Sequence, residues 1–155
     1  MTVLAAGSVA PDFELDTDGG NRIRLSDLKG APVVVYFYPK DDTPGCTKEA
    51  IAFTELAPEF EKLGISIVGI SPDTAAKHDK FKAKHNLSVT LAADPDQAAS
   101  NAFGVWVEKS MYGKKYMGIE RSTFLIAADG TIARTWPKVK VPGHAQEVLE
   151  AAKDL

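Results

Sequence analysis

Apolar and polar residues alternate in "DFELDT" (Asp12–Thr17) and again in "NRIRL" (Asn21–Leu25), and "DGGN" stands between them. Period-two alternation around a glycine-rich turn predicts an N-terminal β-hairpin. "LSDLKG" follows and predicts a short helical turn, capped by Ser26 and stopped by Gly30. The pattern then changes. "PVVVYFY" (Pro32–Tyr38) is continuously apolar, β-branched and aromatic, the mark of a strand buried on both faces. "ISIVGIS" predicts a second such strand and "SVTLA" a shorter one.

Helical spacing fills the intervals. One helix is expected from about Pro44 to Leu63, ending at Gly64, another from Thr74 to His85, and a short one after Pro95. "STFLIA", the turn "ADGT" and "IARTW" predict a hairpin, and "GHAQEVLEAAKDL" an amphipathic closing helix. Strands interleaved with helices and one late hairpin indicate an α/β protein with a mixed central β-sheet, expected as one domain over residues 1–155. In such sheets, functional groups gather beyond the carboxyl ends of the central strands.

Composition narrows the possibilities. The 155 residues are 45% hydrophobic and 25% charged, with a net charge of -3, so nothing points to nucleic acid as a partner. The opening "MTVLAAGSVAPDF" has neither a basic segment nor a long apolar stretch, and "VVVYFY" is too short to cross a bilayer. A single cysteine, Cys46, leaves no intramolecular disulfide and no multi-cysteine zinc site, and fits a reducing cytoplasm. His78, His85 and His144 show no metal-ligand spacing and are expected at the surface or in packing roles. No cofactor or metal is expected. Trp106 and Trp136 are expected as packing anchors, "GKK" near Tyr112 as a polar hairpin tip, and Lys40, Asp41 and Asp42 as a solvated loop whose two acids could oppose a thiolate.

Cys46 follows "VVVYFYP" and opens a helix. With Thr43 as N-cap and Pro44 at the first helical position, Cys46 falls in the first turn, where the dipole and unpaired N–H groups favour a thiolate. A helical projection places Cys46, Glu49, Phe53, Leu56, Ala57 and Phe60 on the inward side and Lys48, Glu55, Glu59 and Lys62 outward. Ile51 falls among the outward charges. An inward cysteine is equally consistent with core packing. An inward carboxylate needs a partner, such as an arginine from another strand, or else caps the helix from its edge.

"PKDDTPGC" (Pro39–Cys46) matches the Pro-x-x-x-Thr-x-x-Cys signature of peroxiredoxins, and "CTKEA", "ISPD" and "GIERSTFLI" resemble the bacterioferritin-comigratory (PrxQ) subfamily. The similarity extends from "GSVAPDFEL" through "YGKKYMGIERSTF". It implies a thioredoxin-like fold and thiol peroxidase activity on hydrogen peroxide and organic hydroperoxides. It makes Cys46 the peroxidatic cysteine, Thr43 the hydroxyl bonding the peroxide, Pro39 the shield of the site, Arg121 the active-site arginine and Glu49 the carboxylate that orients it. Full ionisation of a thiol gains only about thirtyfold at neutral pH, so donors to the breaking O–O bond must supply the larger effect.

Many members of the subfamily carry a resolving cysteine five residues after the first, where this chain has Ile51, and "DKFKAKH" offers no alternative. Residues five apart on a helix lie roughly 8–9 Å apart between Cα atoms, beyond the reach of a disulfide unless the helix unwinds. A one-cysteine cycle is therefore expected, with the sulfenic acid reduced by an external thiol: glutathione, a glutaredoxin or thioredoxin system, or another protein's cysteine. Three further readings are a redox sensor relaying oxidation to a partner, a thioredoxin-like binding domain with a structural cysteine, and a thiol–disulfide exchanger. The missing Cys-x-x-Cys weakens the last. A monomer or small homodimer is expected.

Overall fold

The central run forms β3 (Val33–Phe37), with every residue buried. Its alternation serves two cores. Val34, Tyr36 and Tyr38 join Phe53, Phe60 and Leu149 on one side of the sheet, while Val33, Val35 and Phe37 join Phe13, Phe103 and Phe124 on the other. Each such side chain contributes roughly 1.5–3 kcal/mol by leaving water. The computed structural model describes residues 3–155.

Around β3 the elements are β1 (Glu14–Thr17), β2 (Arg22–Arg24), α1 (Pro44–Lys62), β4 (Ser66–Ser71), α2 (Ala75–His85), β5 (Thr90–Ala93) and α3 (Ala98–Ala102). Then come β6 (Trp106–Met111), β7 (Lys114–Ile119), β8 (Ser122–Ile126), β9 (Ile132–Trp136) and α4 (His144–Lys153). Seven strands make one mixed sheet in the order β2-β1-β5-β4-β3-β8-β9. Strands β3, β4 and β5 are parallel, and β8 runs antiparallel to β3. The N-terminal hairpin joins this sheet through β1 and β5. Strands β6 and β7 pair in a sheet of their own, turning at Tyr112 and Gly113, both with positive φ. This is the expected hairpin tip, and Tyr112 is fully exposed there.

Two local expectations change. The turn at Leu25–Leu28 is capped not by Ser26 but by Asp12, whose Oδ1 accepts from the Ser26 N–H at 2.8 Å. Helix α1 has the expected span and continues through Pro58, where the ring removes one bond from the ladder. Ile51 is half-buried and packs against the core cluster that contains Ala145, Val148 and Leu149 of α4. Helix α4 packs against α1. A second buried flank of this kind lies outside a projection drawn for one inward face.

Gly69 of β4 is in register with Tyr36 of β3. A Cβ there would come within 2.6 Å of Tyr36 Cζ and 2.7 Å of its hydroxyl. Tyr36 cannot yield easily, because its ring is stacked against Phe53 at 4.8 Å and Tyr38 at 5.6 Å. Gly69→Ala is therefore expected to destabilise the protein by roughly 1–3 kcal/mol through overpacking. Urea unfolding reads this directly, and an unchanged midpoint would refute it.

Candidate active site

The carboxyl end of β3 leads through Tyr38–Asp42 into α1, and the antiparallel register of β8 pairs Ser122 with Phe37. Arg121, the residue before β8, is thereby delivered to the end of β3 where α1 begins. Its carbonyl accepts from the Val139 N–H at 2.8 Å, which anchors the backbone. The side chain then reaches two residues of α1 at once. Nη1 donates to Glu49 Oε1 at 2.6 Å, and Nη2 donates to Cys46 Sγ at 3.2 Å. Cys46 and Glu49 are three residues apart on one helical face, each only 1% exposed. Gly45 allows the approach, since a Cβ there would lie 3.3 Å from Nη2.

The start of α1 departs from its expected cap. Thr43 occupies the N-cap with extended backbone, but its hydroxyl donates back to the Lys40 carbonyl at 2.9 Å instead of accepting from the helix. The first intrahelical bond runs from the Thr47 N–H to the Thr43 carbonyl. The N–H groups of Gly45 and Cys46 precede it and point toward the helix entrance, beside the thiol. Pro39 lies exposed in the loop after β3.

Electrostatics bind the three groups together. Burial pushes Glu49 up to about 7 against the pull of Arg121, and Oε2 has no hydrogen-bond partner among the described residues. For Arg121, burial works downward, but the Glu49 carboxylate and the Cys46 thiolate outweigh it and raise its pKa. The guanidinium stays charged. Lys109 of β6 is a further cation in the vicinity: burial and then the Arg121 charge lower its pKa, while Glu120 and Cys46 act in the other sense.

The Glu49 shift has a consequence for stability. The carboxyl titrates at 4.5 when unfolded and at about 7 in the fold. Its contribution is therefore fully present below 4.5 and is lost as pH rises through about 7. It is on the order of 3 kcal/mol. Glu49→Gln cannot titrate and is expected to flatten the stability profile between those two values. His144, which burial pulls down to about 4, acts in the opposite sense and cancels when the two proteins are compared. Parallel urea midpoints for the two proteins across this range would contradict the shift.

The supporting shell differs from the expected solvated loop. Asp41 is buried, and its carboxylate accepts from the Tyr38 hydroxyl at 2.5 Å and meets His78 Nδ1 at 2.6 Å. Burial of a carboxylate on a loop requires such partners, and α2 supplies one. Asp42 stays at the surface, bonded to Lys84 at 2.7 Å and His85 at 2.8 Å. His144 takes the packing role, bonded to Thr123 Oγ1 at 2.7 Å and edge-on to Phe53 and Trp136. Trp136 also packs as expected, under Arg134 at 4.6 Å. Gly45 is a site-shaping residue that sequence reasoning passed over, and Asp41 and His78, expected in a solvated loop and in a surface or packing role, are two whose part in the site it did not foresee. Helical spacing from His78 to Phe81 and His85 was the available signal for a buried histidine.

Residues 6–135 match the family model for the AhpC/TSA family. The chain belongs to the AhpC/TSA family. Its relatives within that family include Bcp peroxiredoxins. It is 50% identical to peroxiredoxin Bcp of Bacillus subtilis, covering 98% of this chain and 97% of that one. It is 51% identical to the putative peroxiredoxin Bcp of Coxiella burnetii over 94% of this chain and 97% of the other. Among solved structures, peroxiredoxin Q of Xanthomonas campestris superposes with a TM-score of 0.90 at 45% identity, covering 98% of this chain and 96% of that one. This AhpC/TSA protein therefore has the thioredoxin-like peroxiredoxin fold and is a thiol-dependent peroxidase, acting on a peroxide at the expense of a thiol reductant. No helix among the described residues is long and apolar enough to cross a membrane.

Proposed function

We propose that Cys46 is the peroxidatic cysteine of a one-cysteine cycle reducing hydrogen peroxide and organic hydroperoxides. The observation that carries this reading is the single guanidinium of Arg121 donating to Cys46 Sγ while Glu49 holds its other edge. The Cys46 thiolate attacks one peroxide oxygen. An S–O bond forms, the O–O bond breaks, and the second oxygen departs as hydroxide or alkoxide and takes up a proton. Arg121 stabilises negative charge as it moves from sulfur to the departing oxygen. The Thr43 hydroxyl, whose hydrogen is committed to Lys40, accepts from the peroxide O–H. The N–H groups of Gly45 and Cys46 assist, and Pro39 covers the site from the solvent side.

With one cysteine in the chain, the sulfenic acid is resolved from outside. An external thiol attacks the Cys46 sulfur, water leaves, and a mixed disulfide forms. A second thiolate then releases Cys46 and carries away the disulfide. Glutathione, a glutaredoxin or a thioredoxin can supply these thiols in the cytoplasm, and the catalytic unit is a single domain in a monomer or small homodimer.

Rapid mixing of the reduced protein with hydrogen peroxide, followed by tryptophan fluorescence and intact mass, tests both halves. The expected result is oxidation orders of magnitude faster than a free thiol, with one oxygen added at Cys46. Each thiol donor is then added in turn. A free-thiol rate would overturn the role of Cys46, and failure of every donor to restore the reduced mass would overturn the one-cysteine cycle.

A further inference from the structure

We propose that Asp41 and His78 are positioning residues for peroxide reduction: a buried pair that clamps the loop presenting Thr43 and Cys46. The inference rests on the roles given above to those two residues.

Asp41 is held from three elements. Tyr38, just beyond β3, donates its hydroxyl to Oδ1 at 2.5 Å, and His78 of α2 meets Oδ2 at 2.6 Å. The Asp41 N–H donates to Asp73 Oδ2 at 2.7 Å, an oxygen that also accepts from the Ser71 hydroxyl at 2.8 Å. His78 is completely buried, and its Nε2 lies 3.0 Å from the Ala92 carbonyl. A carbonyl can only accept, so Nε2 carries a hydrogen. Asp41 and Nδ1 therefore share one proton between them, and the carboxylate is matched inside the pair.

A second observation places the purpose of this clamp at the active site. Asp42, between Asp41 and Thr43, has φ 60, a left-handed conformation for a residue with a side chain. Such strain persists only where the surroundings over-determine it. Lys84 and His85 of α2 bind the Asp42 side chain, Asp41 is fixed on one side, and the Lys40 carbonyl receives the Thr43 hydroxyl. Three successive residues before Thr43 are thus tied down, and α2 supplies half of the ties. The same arrangement answers the charge problem of two acids close to a thiolate, because each carboxylate has its own cationic or proton-sharing partner. Neither Asp41 nor His78 contacts Cys46 among the described hydrogen bonds, so their effect passes through the loop backbone.

The test compares Asp41→Ala, Asp41→Asn and Tyr38→Phe with the wild type. Asparagine can keep every contact: its oxygen accepts from Tyr38 and its amide donates to a neutral His78 Nδ1. Asp41→Ala is expected to slow Cys46 oxidation by hydrogen peroxide about a hundredfold, the scale of a misplacement near 1 Å. Asp41→Asn is expected to restore the rate to within about threefold, since the geometry survives. Tyr38→Phe removes one tie without opening a cavity, and a loss of about fivefold is expected. It remains informative if the alanine variant does not fold. Alkylation of Cys46 by iodoacetamide should stay at the wild-type rate throughout, which separates loop geometry from thiolate content. Wild-type oxidation rates in folded Asp41→Ala or in Tyr38→Phe would overturn the clamp. So would an Asp41→Asn variant as slow as Asp41→Ala. A wild type that is itself not oxidised quickly at Cys46 would overturn the peroxidase role of Cys46, and the clamp with it.

Discussion

Arg121→Ala is expected to slow the oxidation of Cys46 by hydrogen peroxide about 10²- to 10³-fold, the usual effect of losing one preorganised donor to developing charge. The substitution removes both guanidinium bonds, at 3.2 Å to sulfur and 2.6 Å to Glu49. The fold should survive this. Breaking a buried ion pair is damaging when it strands a charge, but burial already raises Glu49 to about 7, so the carboxyl can take up a proton near neutrality. Circular dichroism should therefore remain native while the stopped-flow rate collapses. Lysine should rescue little, because one ammonium cannot address Cys46 and Glu49 with two nitrogens in a fixed plane. Equal rates before and after the alanine substitution would remove Arg121 from the mechanism.

Thr43→Val is the second large effect, expected at about a hundredfold on the same rate. Valine preserves the branched shape and removes only the hydroxyl. That hydroxyl has its hydrogen pointed at the Lys40 carbonyl, 2.9 Å away, which leaves its lone pairs to receive the peroxide hydrogen. Without that acceptor the peroxide loses its alignment with the sulfur, and orientation is the quantity at stake. Thr43→Ser should recover the rate to within about tenfold, since the hydroxyl returns with more rotational freedom. A valine variant as fast as the wild type would mean that the hydroxyl serves the loop alone.

The two variants differ in what they disturb. In the proposed mechanism Arg121 acts on charge across the breaking bond, and Thr43 on the approach of the substrate. Their combined effect should be less than the product of the two, because both serve one transition state and residues acting as a unit are not additive.

Much of this was legible in the linear chain. The continuous run of β3 required burial on both faces, and the structure divides its residues between two cores as that pattern demands. The start of α1 was marked by Thr43 and Pro44, and the inward face carrying both Cys46 and Glu49 followed from helical spacing alone. An inward carboxylate called for a partner such as an arginine from another strand, or else for a capping role at the helix edge, and Arg121 is the partner. The less legible parts were those in which several elements meet. Asp41 reads as a solvated loop residue until α2 brings His78 against it, and Ile51 reads as exposed until the folded core cluster forms beside it. The Thr43 hydroxyl reads as a helix cap until the Lys40 carbonyl is near enough to take its hydrogen.

The sequence by itself determined most of the elements, the placement of the single cysteine at the start of α1 and the family resemblance, because these depend on local periodicity and on residue types a few positions apart. Only the tertiary structure decided that Arg121, 75 residues from Cys46, donates to its sulfur. That contact depends on β8 lying antiparallel beside β3 with Ser122 opposite Phe37, a register set by packing on both faces of the sheet. The ties of Asp41 to His78 and Asp73 belong to the same class. Each is a hydrogen bond between groups far apart in the chain, and it exists because burial of a polar group leaves no cheaper way to satisfy it.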